Sequence, residues 1–235
     1  MATGDYLFFV DDDNYLKLGA ISVAMEVFRR WESDGVAVVG MTACYADRKM
    51  LIADGGSQRF YTSGFMWGER TNERVYRYNW FMTARFRTQH YYPVSEVANA
   101  FIVQREAFLE AGGFDEVNFP IDLDEADLCK RIKNIGYDVV MAPFAICYHK
   151  SVTYSCVPDF RRPMNAYFMG RNRILYQRKH LNRAQLLVYW TIFFPIFFFG
   201  YAACLIYRRK PSMVLHFTKG VLDGILGRKK NKYQS

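Results

Sequence analysis

The sequence predicts an α/β fold followed by membrane-associated helices, and three features carry this prediction. The apolar run Tyr6–Val10 leads directly into Asp11, Asp12 and Asp13, a pattern typical of a buried strand with acids at its C-terminal end. Strand-like and helix-like segments then alternate, which is typical of α/β proteins. Residues 186–207 carry no formal charge, and two arginines and a lysine follow them.

Apolar periodicity and turn residues assign the other elements. We expect helices at residues 21–31, 105–111, 122–132, 162–179 and 213–226, and strands at residues 36–41, 96–103 and 137–142. Gly112 and Gly136 follow two of these helices, as expected of C-terminal caps. Between residues 46 and 87 the periodicity fades, and this stretch is either a loop flanking a functional site or a surface excursion.

The composition favours a globular chain that contacts a membrane. Of its 235 residues, 51% are hydrophobic, which is enough to bury one sizeable core. The formal net charge is +8, and much of the positive excess lies beyond Arg161, near the apolar stretch. We therefore expect a membrane partner and no nucleic acid. The five cysteines form no C-x-x-C pair, which argues against a zinc ribbon and a disulfide framework and fits a reducing cytosol.

The three consecutive acids allow two interpretations. Adjacent carboxylates repel one another, and a hard divalent cation with oxygen ligands would neutralise them. In open α/β sheets, ligands bind at the C-terminal ends of the strands, where these acids are expected. Alternatively, the acids form a solvated turn that caps the helix at residues 21–31.

Several motifs resemble those of family 2 glycosyltransferases, in one order and over nearly the whole chain from Tyr6. An apolar strand followed by Asp11-Asp12-Asp13 is similar to the family's Asp-x-Asp motif. Arg105-Glu106-Ala107-Phe108 and Gly112-Gly113-Phe114-Asp115-Glu116 resemble a helix and turn that follow it. Asp124, Glu125, Asp127, Leu128, Cys129 and Arg131 align without a gap with a Glu-Asp-x-Asp-Leu-Cys-x-Arg helix, with the first two acids exchanged.

This resemblance implies a metal-dependent, inverting enzyme that transfers a sugar from a nucleotide sugar to a hydroxyl of a lipid-linked or cell-envelope glycan. It implies Mg²⁺ or Mn²⁺ on Asp13, Asp11 and His149, and Glu125 as general base with Asp124 as the competing assignment. The substrate-binding residues that it implies are Asp11, Asp12, Asn99, Asp127 and Arg171. For some of these residues a structural alternative stays open. His149 would be a surface or core residue, Arg171 would lie on a basic helix on anionic lipid, and the acids of residues 124–127 would be partners of the helix dipole.

In this family, βα units that bind the nucleotide precede the metal motif, whereas only residues 1–5 precede Tyr6 here. We therefore expect a partial Rossmann-like, A-type sheet whose first βα units are missing, through truncation or because another chain supplies them. The alternative to an enzyme is an inactive membrane-anchored fragment that at most binds a glycan or a partner. The resemblance leaves homo-oligomerisation open.

The expected organisation has four parts. Residues 1–160 form the catalytic domain, and residues 161–183 form a basic amphipathic helix. Residues 184–210 form a transmembrane or re-entrant helix, since 22 uncharged residues at ~1.5 Å each can cross a ~30 Å hydrocarbon core. Residues 211–235 form a basic amphipathic tail. The expected location is the membrane, with the catalytic domain in the cytoplasm.

Overall fold

The computed structural model describes residues 2–45, 51–53, 91–97, 100–150 and 163–228. Within these residues the chain is a mixed α/β protein with one mixed sheet and a group of C-terminal helices. It divides into two compact units. The first unit contains the sheet, and the second contains Phe114–Asp127 and the C-terminal helices.

The elements follow one another from a strand-rich half to a helical half. The strands are β1 (Tyr6–Val10), β2 (Asn14–Leu16), β3 (Val36–Tyr45), β4 (Leu51–Ala53), β5 (Tyr92–Pro93), β6 (Ala100–Gln104) and β7 (Asp138–His149). The α-helices are α1 (Ala20–Trp31), α2 (Arg105–Glu110), α3 (Asp124–Asn134), α4 (Pro163–His180), α5 (Arg183–Val188), α6 (Phe194–Tyr207) and α7 (Ser212–Ile225). A π-helical turn, Tyr189–Phe193, joins α5 and α6 into a continuous helix, Arg183–Tyr207, which we call the apolar helix.

The sheet of the first unit has the strand order β1-β6-β3-β7-β2. Its central strands β3 and β7 are parallel, and the other neighbours on this path are antiparallel. Helix α1 packs on the central pair because its buried residues recur at helical spacing. These are Ala20, Ala24, Val27 and Phe28. The resulting core fixes the strand ends that carry the candidate site.

Strand β1 is not the buried strand that the sequence predicts. Among the described residues it pairs only with β6, antiparallel, with Tyr6 opposite Gln104 and Val10 opposite Ala100. Phe8 is 38% exposed and Val10 is 45% exposed. The prediction of a fully buried strand was therefore wrong, because a short continuous apolar run has no period that separates an interior strand from an edge strand.

Strands β3 and β7 extend further than residues 36–41 and 137–142, the ranges predicted for them. Their register shifts after Met41, from a pair with Ala142 to a pair of Thr42 with Ile146. Residues 143–145 of β7 therefore have no register partner in β3. Pro143 is one of them, so its missing N–H interrupts no hydrogen bond between these two strands. Beyond this irregularity β7 continues to His149, so the histidine lies at a strand end.

The other predicted elements appear with shifts of a few residues at their ends. The helices predicted at residues 21–31, 105–111, 122–132, 162–179 and 213–226 correspond to α1, α2, α3, α4 and α7. The strand predicted at residues 96–103 corresponds to β6, which begins at Ala100. Apart from β4, the stretch predicted as a loop at residues 46–87 lies outside the described residues.

In the second unit, α4 and α7 pack closely because glycines lie where the two helices meet. A Cβ atom at Gly170 would lie 2.6 Å from the carbonyl oxygen of Phe217, and one at Gly224 would lie 2.8 Å from that of Arg171. A Cβ atom at Gly220 would likewise overlap the backbone of Tyr167. The adjoining apolar core draws on α4, the apolar helix and α7, and its buried members are Ala166, Ile174, Phe197, Leu205, Phe217 and Val221.

The apolar helix confirms the expectation of one long uncharged segment. It has 25 residues, and almost none of its most apolar part is buried. By length and composition it is the one helix of the described residues that is able to cross a membrane.

Candidate metal centre and acidic helix

The three predicted metal ligands lie together in the first unit. The side chains of Asp11, Asp13 and His149 each offer a ligand atom, and these atoms lie within 4.8 Å of one another. Nε2 of His149 is 3.4 Å from Oδ1 of Asp13. Both aspartates are exposed and the histidine is half-buried, so the group is open to solvent on one side.

The backbone explains how residues far apart in sequence meet there. Asp11, Asp12 and Asp13 form the turn between β1 and β2, and the N–H of Asn14 donates to the carbonyl oxygen of Asp11 at 3.1 Å. Strand β2 then pairs with the end of β7, with Asn14 opposite His149. The N–H of Lys150 donates to the carbonyl oxygen of Asp13 at 2.9 Å, which fixes the turn against β7.

The field at this group is negative. Burial, with a further contribution from the charges of Asp11 and Asp13, raises the pKa of the neighbouring Cys147 thiol to about 12. Two carboxylates and an imidazole form a donor set that suits Mn²⁺, and carboxylates suit Mg²⁺. The residues present therefore fit a divalent cation, which would offset the repulsion between the acids.

Two further residues of the first unit, Asp12 and Asn99, were predicted to bind substrate. Asp12 is exposed and lies in the same turn, outside the group of three. Asn99 lies outside the described residues, so its expected contact with substrate stays a prediction.

Asp124 and Glu125, the predicted catalytic acids, begin α3 in the second unit. Both are half-buried. They follow two residues with left-handed backbone, Asp122 at φ 66° and Leu123 at φ 69°. Non-glycine residues seldom adopt this conformation, and such strain concentrates at functional sites.

Arg171 and Asn172, on α4, hold the loop that leads to these acids. The Arg171 side chain is completely buried, and its Nη1 donates to the carbonyl oxygen of Asn118 at 2.7 Å. Nδ2 of Asn172 donates to the carbonyl oxygens of Ile121 at 2.6 Å and Asp122 at 3.0 Å. These bonds make both residues positioning residues for the start of α3, while contact of Arg171 with a donor diphosphate stays a prediction.

Asp127 lies one turn into α3 and is completely buried. Its Oδ1 forms an ion pair with Nζ of Lys179, at 2.8 Å, and lies 2.7 Å from Nε2 of His180. A buried carboxylate is stable only when charged or hydrogen-bonded partners surround it. These contacts give Asp127 a structural role, and its predicted role in substrate binding stays untested.

Sequence reasoning missed three basic residues, one beside the metal group and two that contact Asp127. Lys150 follows His149 directly, and its Nζ lies 5.6 Å from the centre of the Tyr15 ring beside the acid turn. Lys179 and His180 end α4, where basic residues complement the helix dipole. This local role already explains their presence, so their sequence position did not indicate a contact with Asp127.

Comparison of the chain with models of known protein families gives no match, and comparison with curated proteins gives none either.

Proposed function

We propose that this chain is a metal-dependent glycosyltransferase of family 2, with a Rossmann-like, A-type catalytic fold. Its substrates would be a nucleotide sugar and a hydroxyl of a lipid-linked or cell-envelope glycan. The observation that supports this most directly is the group formed by Asp11, Asp13 and His149 at adjoining strand ends. The resemblance to family 2 implies that these same three residues bind the cation.

The ligand chemistry of this group agrees with the proposal. A nucleoside diphosphate carries adjacent negative charges, and an acidic turn such as Asp11–Asp13 would repel it unless a cation lay between them. Bound Mg²⁺ or Mn²⁺ would supply positive charge to the departing diphosphate. Asp11 and Asp13 would hold the cation, and His149 would complete the protein ligands.

The chemical step would depend on a carboxylate of α3. Glu125 would accept the proton of the acceptor hydroxyl while the acceptor oxygen bonds to the anomeric carbon and the bond from that carbon to the diphosphate breaks. Asp124 is the competing base, because the two acids are exchanged relative to the motif. Arg171 and Asn172 would act through the loop that they hold, by fixing the first turn of α3.

The location of the enzyme would be a membrane, with the catalytic part in the cytoplasm. The support is the apolar helix, which is long and apolar enough to cross a bilayer. An acceptor linked to lipid is held at a membrane surface, so an enzyme attached there would meet it at high local concentration.

Donor binding tests the proposal. Uridine, guanosine and thymidine diphosphates are titrated calorimetrically into the full chain in detergent, with Mn²⁺ and then with EDTA. We expect binding of at least one diphosphate with Mn²⁺, at least tenfold weaker in EDTA or after Asp13→Ala. Asp34→Ala, which removes an exposed acid elsewhere in the first unit, is the matched control and should bind as the wild type. Equal affinity with Mn²⁺ and with EDTA would refute the proposal.

The rival is an inactive membrane-anchored protein that at most binds a glycan or a partner. Single-turnover assays distinguish this rival from the enzyme. They use the nucleotide sugar that corresponds to the diphosphate found to bind in the titration. Sugar transfer or release that Glu125→Gln reduces supports the enzyme, whereas metal-dependent binding without any turnover supports the rival.

A further inference from the structure

One face of the apolar helix is both exposed and free of charge. Its exposed side chains recur at intervals of three and four residues, which is the spacing of one helix face. They include Val188, Ile192, Ile196, Phe199, Ala203 and Ile206, and Phe199 is 69% exposed. An apolar stripe of this length is expected to be covered by an apolar medium or partner.

The charges at the two ends of the helix indicate which medium covers it. Arg183 begins the helix, and Arg208 and Arg209 follow its last residue; all three are exposed. Basic side chains at both ends of an apolar stripe match a lipid surface, where the stripe meets acyl chains and the arginines meet anionic headgroups.

The opposite face of the helix packs on the apolar core of the second unit, and one charged side chain lies against it. The guanidinium carbon of Arg173, on α4, lies 4.5 Å from the centre of the Phe197 ring. At ~1.5 Å per residue, Phe197 lies about 21 Å along the helix from Arg183 and about 15 Å from Tyr207. A helix crossing a ~30 Å hydrocarbon core would therefore place Arg173 close to the centre of the bilayer. A charged side chain is costly at that depth, and it occurs there only where neighbouring groups compensate it.

Helix α7 also argues against an apolar helix that crosses the bilayer. The ring of Phe217 lies 5.6 Å from that of Phe197 and 4.6 Å from that of Tyr201, so α7 packs on the middle of the apolar helix. Its exposed face carries Leu215, at 75% exposure, and the exposed Lys219 one turn later. A mixture of leucine and lysine on one face suits the boundary between acyl chains and headgroups, where lysine reaches water.

We propose that the apolar helix does not cross the bilayer but lies in the plane of one leaflet, with the stripe Val188–Ile206 in the acyl chains and α4 and α7 on the headgroup side. This arrangement keeps Arg173 and Lys219 out of the hydrocarbon core. It also keeps both ends of the helix on one side of the membrane. The partner is an anionic phospholipid surface, and the proposal stands independently of the enzymatic activity.

The depth of individual positions tests this arrangement. The full chain is added to sealed vesicles of phosphatidylcholine and phosphatidylglycerol, with a fluorescent amino acid incorporated singly at Leu187, Ile196 or Ile206. Quenching by lipids brominated near the headgroup or near the acyl-chain end reports depth. We expect all three positions to lie at the same shallow depth. Two further labelled variants form a matched pair, and a label at Ala202, which is half-buried, should be quenched less than one at the adjacent, exposed Ala203. A profile with Ile196 near the bilayer centre and the other two near its surfaces would overturn the proposal.

The side of the membrane reached by the C-terminus is an independent test. A cleavable tag after Ser235 should be removed completely by protease added outside the vesicles, because the chain does not cross. Protection of the tag until detergent is added would overturn the proposal. Failure of the chain to float with the vesicles, with none of the exposed-face positions quenched, would also overturn it. Light scattering would then test whether a second copy covers the stripe.

Discussion

Nε2 of His180 lies 2.7 Å from Oδ1 of Asp127, a carboxylate with no solvent exposure. Nζ of Lys179 lies 2.8 Å from the same oxygen, and also 2.8 Å from Oδ2 of Asp115. The four residues form one charged network in the second unit, which joins the end of α4 to the first turn of α3. The network ties α3 to a helix that lies some 50 residues further along the chain.

Removing the buried charge should destabilise the protein strongly. Asp127→Asn leaves Lys179 without one of its two carboxylates, and breaking a buried pair in this way costs about 3–5 kcal/mol. We expect a loss of that size in the free energy of unfolding, measured by urea denaturation in detergent. Lys219→Gln, which removes an exposed charge in the same unit, should change it by less than about 0.5 kcal/mol. Equal losses in the two variants would contradict the structural role of Asp127.

The crossing of α4 and α7 should tolerate no side chain at Gly220. A Cβ atom there would overlap the backbone of Tyr167, which is unable to rotate away as a side chain would. Gly220→Ala should therefore lower the free energy of unfolding by about 1–3 kcal/mol or more. Gly200→Ala in the apolar helix is the matched control, since a Cβ atom there would meet nothing within 4 Å. It should be neutral or stabilise by about 0.4–1 kcal/mol, because alanine favours helix. Thermal unfolding of both variants in detergent measures this contrast.

Asp115 should make the protein sensitive to strong acid. Burial would raise the pKa of this carboxyl, but hydrogen bonds from Asn118 and Lys179 outweigh it and lower the pKa to about 2, from an ordinary value of 3.8. A carboxyl with a lowered folded-state pKa stabilises the fold above its unfolded pKa, and this contribution is lost as the pH falls from about 4 to about 2. Asp115→Asn should therefore be less stable than the wild type at pH 5, and the difference should shrink towards pH 2. A difference that stays constant over this range, measured from urea midpoints, would contradict the assignment.

The sequence alone predicted those features that depend on local pattern. The helix at residues 105–111 and its glycine stop follow from apolar spacing and from the left-handed conformation of Gly112, at φ 83°. The uncharged length of the apolar helix is likewise visible without a structure. The proximity of Asp11, Asp13 and His149 was expected only through the family resemblance, because the register shift of β7 at Pro143 has no clear sequence signal.

Features that depend on distant contacts were not predictable. The guanidinium of Arg171 donates to the carbonyl oxygen of Asn118, 53 residues away, and to that of Arg228, 57 residues away. Nothing in a helix sequence reveals which carbonyl groups of a remote loop lack partners. The edge position of β1 depends in the same way on which strands assemble beside it.

The loop held by α4 should matter for turnover more than for metal binding. Asn172→Ala removes two bonds to the loop, one to Ile121 and one to Asp122, and so frees the start of α3 without touching the metal group. We expect kcat to fall by at least tenfold, because a misplaced base is costly. The thermal shift produced by Mn²⁺ should be that of the wild type. A normal kcat in a folded variant would show that the loop needs no such support.

The acidic turn of α3 allows the base assignment to be tested directly. Glu125→Gln keeps the size of the side chain and its hydrogen-bonding capacity but removes its basicity, so kcat should fall by roughly 10²–10⁴-fold, the usual contribution of a general base. Affinity for a nucleoside diphosphate with Mn²⁺ should change little, since the predicted ligands belong to the other unit. Asp124→Asn is the matched variant at the adjacent half-buried acid. If Asp124→Asn abolishes turnover and Glu125→Gln does not, the exchanged pair has moved the base by one position. If both variants turn over normally, the acids only stabilise the helix terminus, and the proposed chemistry loses its base.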